Sequence, residues 1–583
     1  MRKSTIPLAL LFAATFTCSG CGDSGAKISL DEYVGLPEIR LSSLYAREEK
    51  GNVKLKMKAP FTDTYTVSFP SNSGTVTVYD ADGKRLANSV KELELSLKKN
   101  DIVYLNINPE KPNINMEVKA KENDSPLPFD PINAPDVNSF DVNGDPNVDP
   151  LQEARLEYKK REGTLYVYSN APETLKPEIL NKALTRNDIS DQEVFFTFEH
   201  QSDEVKAYYG YQVRNTGTED MYVTVKNIGY QLAGDGAYLG EMEWTSFYNT
   251  KFALPDMSKW TESQEKSFKA WFNLGGKYAN PKFQSVTYRI PAGKYMYVIG
   301  GTREDSFNNY AVLKGGQPDA LNYGSCQNGA VLFEVKGKAE GAFYAYTDPK
   351  AIAGDTTSHV GFFFDDERCH VGVDEGACVD ASAVWTFNDK TPSQDLPVTY
   401  TNYYKDYPAG SSPTGEPFSK IDSTPHEKHL KTWYTHSNVQ NYHDSVGTDM
   451  TTFHSVSNGK PVVTGNDYYD INGDHSNIGN WMKDYIETFT FVNQGDRDRT
   501  VTVTLYPMNG GGVVAMARDQ DGNRIEGTPY TSLIMGKTVH GDAIHEPFQY
   551  TATVKAHSVL QFHVEYNLMA NSYGTLLHGV KLN

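Results

Sequence analysis

Two stretches far apart in the chain carry the same punctuation, and this constrains the fold more than any other feature. "VRNTGTEDMYVTV" (213–225) and "FVNQGDRDRTVTV" (491–503) agree at Asn215/Asn493, Gly217/Gly495, Asp220/Asp498, Val223/Val501, Thr224/Thr502 and Val225/Val503. In each, an alternating run leads into Asn-x-Gly and a second alternating run leads out, the pattern of two antiparallel strands joined at a turn. Further matches follow in the same order. "RIPAGKYMYV" (289–298) parallels "VKAHSVLQF" (554–562) through Ala292 and Ala556, and "GAVLFEVKG" (329–337) parallels "GTLLHGVKL" (574–582). A fainter echo pairs "LYVYSN" (165–170) with "TWYTHSN" (432–438). Self-similarity that keeps its order predicts two copies of one antiparallel β-sandwich, whose shared residues serve turns and packing rather than chemistry.

The region before the repeat is strand-patterned too. "TYTVSF" puts Tyr65, Val67 and Phe69 on one face, and "TVTVYDADGKRLA" is a hairpin turning at Asp82-Gly83. "LELSLKKNDIVYLNI" adds Leu93, Leu95 and Leu97, a polar turn, then Val103, Leu105 and Ile107. This order resembles the pre-peptidase C-terminal domain, a small β-sandwich found beside secreted bacterial peptidases; the resemblance implies an accessory module, not a catalyst. Residues 123–150, rich in Pro, Asp and Asn, read as a linker. Two helices are expected. Asp149, Pro150 and Gln152 form an N-cap, first-turn proline and capping box ahead of "ARLEYKKR", and Thr261 with Gln264 opens a helix carrying Phe268, Trp271 and Phe272, stopped at Gly275. The expected fold is mainly β and multidomain: three sandwich-like units at 28–122, 151–350 and 423–583, the last two a tandem duplication, with few short helices. A segment at 351–422 lies between the copies.

The N-terminus directs export. Arg2 and Lys3 precede the apolar run Ile6–Thr17, which is too short for a membrane span of about 20 residues. Ser19-Gly20-Cys21 resembles the end of a bacterial lipoprotein signal, departing from that family's pattern at Cys18, where a leucine-like residue is usual. The resemblance implies cleavage before Cys21, a diacylglycerol thioether on its thiol, a tether at 21–27 and a lipid anchor on the extracytoplasmic side of the cell membrane. Ordinary secretion with cleavage nearby is the alternative. A net charge of −19 argues against nucleic-acid binding and against adhesion to anionic lipid. Of five cysteines, Cys18 leaves with the signal and Cys21 is lipidated, so Cys326, Cys369 and Cys378 remain. Cys369 and Cys378, close in sequence and outside the cytoplasm, are expected to form a disulfide that leaves Cys326 free.

Candidate chemistry is scattered. "DVNGDPNVDPLQE" resembles the calcium loop of EF-hands and dockerins, with Asp141, Asn143, Asp145 and Asp149 at the first, third, fifth and ninth places. Pro146 stands where that family needs glycine, and Gln152 where it needs a bidentate Glu. A polar linker before a capped helix accounts for Asp149 equally well, so calcium is the one cofactor to test. "DINGDHSNIGNW" (470–481) repeats the opening without the later ligands. Of 14 histidines only His200 precedes residue 359, while His426, His429, His436, His443 and His454 crowd one stretch whose spacing fits no zinc motif. Asp365 and Asp366, the tyrosine-rich run 399–404 (Thr399, Tyr400, Tyr403, Tyr404), His426 and His429 are the candidate ligand-binding residues. No nucleophile elbow, Walker loop or dinucleotide fingerprint is present, and no catalytic residue can be named. The function expected is non-catalytic: an anchored cell-surface protein binding a glycan, a wall component or an envelope protein. The alternative is a glycan-active hydrolase with its site in 351–480.

Overall fold

The computed structural model describes residues 27–121, 134–233, 285–301, 326–360, 370–407, 434–436, 455–457, 460–462, 469–470, 484–508, 512–533, 548–568 and 575–583, with short omissions at 42, 48–50, 162, 176, 203–205, 359, 375–377, 402–405, 523–524 and 526–529. They are overwhelmingly β, with only short helices. The chain divides into two units, 1–124 with 284–289, and 125–283 with 290–583.

In the first unit one sheet runs Glu38–Arg40, Val53–Lys58, Ile102–Pro109, Gly74–Tyr79, Arg85–Val90. The other joins Ser43–Arg47, Asn113–Ala120, Asp63–Ser68 and Glu92–Leu97. The alternation read from the sequence is the burial pattern observed: Tyr65, Val67, Phe69, Leu95, Leu97, Val103, Leu105 and Ile107 are all buried, and Leu93 is half-buried. The expected hairpin turns at Gly83, whose φ of +74° suits the left-handed region where only glycine is free of strain. Asp80 closes that turn by accepting from Asp82 N and Lys84 N at 3.0 and 2.9 Å. One strand comes from outside 28–122. Residues 286–289 pair in parallel with Ser43–Ala46, and Tyr288 packs 5.9 Å from Tyr45.

The second unit holds two sandwiches. In the first, Tyr469–Asp470, His370–Asp374, Thr164–Leu175, Glu193–Ser202, Cys326–Lys336 and Met221–Ala233 face Lys182–Asp188, Ala339–Tyr346, Tyr208–Asn215 and Tyr295–Gly300. Phe196 and Phe198 meet Tyr209, Tyr211 and Phe343 across the gap, with ring centroids 4.3–5.5 Å apart. In the second, one sheet runs Asp406–Tyr407, Val398–Thr401, Ala154–Arg161, Cys378–Phe387, Asp484–Asn493, Ser558–Leu568, Gly512–Asp519, Tyr530–Leu533. The other runs Gln394–Asp395, Thr575–Leu582, Arg499–Met508, Phe548–Val554. Trp385 lies flat on Phe491 and Phe489 at its centre. Among the described residues, Tyr209, Tyr211, Tyr297, Tyr344 and Tyr346 are buried in the first sandwich.

The matched segments occupy equivalent places. Tyr208–Asn215 pairs antiparallel with Tyr295–Gly300, as Asp484–Asn493 does with Ser558–Leu568. Met221–Ala233 pairs antiparallel with Cys326–Lys336, as Arg499–Met508 does with Thr575–Leu582. The Asn-x-Gly turn is not the hairpin expected: in both copies it joins strands of opposite sheets, whose edges are taken by other partners, and its chemistry is the same in both. Asn215 donates to Glu219 O and Ile290 O and accepts from Gly217 N; Asn493 donates to Arg497 O and Val554 O and accepts from Gly495 N, all between 2.8 and 3.2 Å. The last pair of segments is slipped by two residues from the sequence match. Val223 faces Val335, but Val501 faces Leu582 rather than Val580. An even slip leaves every side chain on its face. The faint echo fails: Thr164–Leu175 pairs with Glu193–Ser202, whereas Tyr434–His436 pairs with the terminal strand Thr575–Leu582.

Two further expectations are revised, and one lies outside the described residues. The helix expected after Asp149 is the strand Ala154–Arg161, held between Val398–Thr401 and Cys378–Phe387; pairing on both edges outweighs local helix propensity. That strand belongs to the second sandwich although it precedes the first in sequence. The segment between the copies is not separate from them, since it gives His370–Asp374 to one sandwich and Cys378–Phe387, Gln394–Asp395 and Val398–Thr401 to the other. The helix expected at 261–275 lies outside the described residues.

Candidate functional site

Asp141, Asn143, Asp145 and Asp149 do not converge on a common point. Each carboxylate folds back on its own backbone: Asp141 accepts from Asn143 N, Asp145 from Asn147 N, and Asp149 from Leu151 N, at 2.8–3.0 Å. These are Asx turns, the local alternative that short acidic side chains offer the backbone. Among the described residues, no group of three or more His, Cys, Asp or Glu could hold a metal ion.

What this segment presents outward is its carbonyls, and the second sandwich takes them one after another. Gln561 Nε2 donates to Pro135 O at 3.0 Å, Gln494 Nε2 to Asp141 O at 2.8 Å, and Asn388 Nδ2 to Val148 O at 2.6 Å and Asp145 O at 3.3 Å. His557 Nδ1 meets Val142 O at 3.0 Å, and Thr391 Oγ1 donates to Asp149 Oδ1. Residues 134–150 are therefore a strap docked on the sandwich. The contact is close: a Cβ on Gly144 would stand 2.0 Å from Gln494 Oε1. Side-chain amides and an imidazole reading backbone carbonyls recognise a segment by its main chain, with little demand on its side chains.

Gln561 grips the strap from the strand Ser558–Leu568, while Asn388, Gln494 and His557 sit on turns that are fixed from within. Asn388 is buried and its Oδ1 accepts from Lys390 N. Asp389 accepts from Asp496 N and Arg497 Nε, both at 3.0 Å, which hold its carboxyl below the usual range. Arg499 Nη1 donates to Thr391 O at 3.0 Å. Two of these grips were invisible as sites because they stand at unmatched positions of the repeat. Gln494 is the x of Asn-x-Gly, where the first copy has Thr216, and His557 aligns with Gly293.

A second cluster lies on the face of the second sandwich turned away from its core. Ser382, Thr488, His563 and Arg518 share one row across four strands, and Asp380, Ile486, Glu565 and Met516 share the row two residues on. Arg518 pairs with Glu565, and His563 Nδ1 shares a hydrogen bond with Thr488 Oγ1 at 2.9 Å. All of these polar groups except Ser382 are buried. Burial pushes the His563 imidazole down to about 4, so it is neutral near pH 7. The first copy has Gly210 and Ile299–Gly301 in the corresponding strands.

Most of the sequence candidates lie outside the described residues: Cys21, Asp365, Asp366, Cys369, Tyr403, Tyr404, His426 and His429. Thr399 lies on a strand in register with Arg155, Cys378 opens the strand Cys378–Phe387, and Cys326 opens Cys326–Lys336. His200, the early histidine, is a core residue bonded through Nε2 to Ser169 Oγ at 2.9 Å.

No protein-family model and no curated protein sequence matches the chain. Among solved structures, 34% of the chain is similar to 38% of a multi-copper oxidase from Pediococcus acidilactici, at 12% identity and a TM-score of 0.08, a likeness too slight to carry an argument.

Proposed function

We propose that this protein is an exported lipoprotein, anchored through Cys21 on the extracytoplasmic side of the cell membrane, with a non-catalytic role in binding a glycan, a wall component or an envelope protein. One observation carries the binding role. The second sandwich grips a strand-free segment by its carbonyls through Asn388, Gln494, His557 and Gln561, a way of holding a ligand without chemistry. The anchor rests on Ser19-Gly20-Cys21 after an apolar run.

Two measurements test this. Cys21→Ala is expected to move the protein from the membrane fraction to the soluble one; retention at the membrane would place the tether elsewhere. The soluble variant, applied to glycan arrays and to cell-wall fractions, is expected to be captured without altering what it binds. If it instead releases a product from wall polysaccharide, and replacing Asp365 or Asp366 by Asn abolishes that product, the protein is a hydrolase.

A further inference from the structure

His557 occupies a costly position. Its φ is +47°, in the left-handed region that side chains with a Cβ avoid, and the first copy puts Gly293 there with φ +71°. The duplicate thus shows which residue the turn itself prefers. His557 has its own partners: Nδ1 bonds to Val142 O at 3.0 Å and Nε2 to Asp496 Oδ1 at 2.8 Å. A carbonyl and a carboxylate both only accept, so both bonds form only when both ring nitrogens carry protons. The ring is a bridge, with the sandwich turn on one side and the strap on the other.

We propose that protonated His557 latches the 134–150 strap to the second sandwich, and that the latch opens as the imidazole loses its proton.

The charges around the ring support this. Asp496 and Asp389 face it from the two gripping turns; Asp389 is also bonded to Arg497, with Arg499 nearby. On its own turn, Lys555 is taken up by Asp498 at 2.7 Å. On the strap, Asp141 and Asp145 are engaged in Asx turns. The Val142 carbonyl and then the Asp496 carboxylate hold the His557 proton above its ordinary value. A group whose folded pKa is raised gives its full support below the unfolded value, about 6.5 for histidine, and loses it as pH climbs through the raised value. The neutral ring keeps one proton, so one of its two bonds must fail. Strap release would free the amides of Gln494 and Asn388.

The test is hydrogen exchange on the whole chain from about pH 6 to about pH 8.5, across the range where a raised imidazole titrates. Protection factors of the 141–149 amides, corrected for intrinsic rates, are read against core amides of Asp484–Asn493. In the wild type, strap protection is expected to fall severalfold as pH rises while core protection holds. In His557→Gly, which restores the residue of the first copy and relieves the backbone, strap protection should be low and flat with pH. Asp496→Asn should shift the transition to lower pH. Wild-type strap protection that stays constant across the range, or a His557→Gly strap as protected and as pH-dependent as the wild type, would overturn the proposal.

Discussion

At the scale of single residues, the described structure settles its buried charges by local pairing. Glu193 and Glu334 face each other across neighbouring strands, a repulsive arrangement. The bulge between Val225 and Asn227 brings Lys226, itself buried, onto both of them. Burial pushes the Glu334 carboxyl up, but Lys226 and Lys336 outweigh it and hold the group below its usual value. Glu334 therefore supports the fold above the ordinary carboxylate range and loses that support as pH falls through its lowered value. Lys226→Met is expected to destabilise the second unit by about 3 kcal/mol in urea unfolding, since two glutamates lose their shared counter-charge. A change under 0.5 kcal/mol would mean that the three charges do not act together. Histidines give a second acid-side effect. Burial alone pushes His200 down to about 3, and burial is also the main cause that takes His563 to about 4. The unfolded chain takes up these protons near 6.5 and the folded one does not, so stability falls as pH drops below about 6.5. The urea midpoint should decline steadily from pH 6.5 to pH 4.5, and less steeply in His200→Gln; an unchanged midpoint would contradict both burials.

At the scale of elements, partners across the sheet decide what local sequence leaves ambiguous. The strand Ala154–Arg161 carries a helix-start signature, and Asp149 does accept from Leu151 N as a cap would. Yet strands on both sides claim its backbone. The tail of the inter-copy segment behaves likewise. Leu396 is buried in the second core and Trp385 Nε1 donates to Pro397 O at 3.0 Å. Replacing 394–401 by Gly/Ser is therefore expected to lower the melting temperature by at least several degrees, through loss of two strands and a core side chain. The same replacement over 408–420, which lies outside the described residues, leaves those strands intact and is expected to cost far less. Equal effects in calorimetry would show that the strands Gln394–Asp395 and Val398–Thr401 contribute nothing.

At the scale of the whole molecule, domains are not contiguous in sequence. The first unit borrows residues 286–289, and the second sandwich takes its strand Ala154–Arg161 from ahead of the first. A fragment ending at residue 124 leaves the Ser43–Arg47 strand with an open edge and Tyr45 without Tyr288. It is expected to unfold at lower urea than the same unit in the full chain, and to self-associate through that edge. Identical midpoints for the 44–46 amides in fragment and full chain would show that the borrowed strand is dispensable.

The sequence alone determined what depends on near neighbours. Alternation at Tyr65, Val67 and Phe69 dictated which face is buried, Asp82-Gly83 dictated a hairpin, and the twin Asn-x-Gly stretches dictated two turns with the same internal hydrogen bonds, though not that each turn would carry the chain from one sheet to the other. These signals are local because pleat and turn geometry repeat within a few residues. Only the tertiary structure decided which distant strand lies beside which, since β-pairing has no preferred chain separation. It turned a presumed linker into a strap, because carbonyls at 135, 141, 142, 145 and 148 acquire donors only when Gln561, Gln494, His557 and Asn388 are brought to them across the fold.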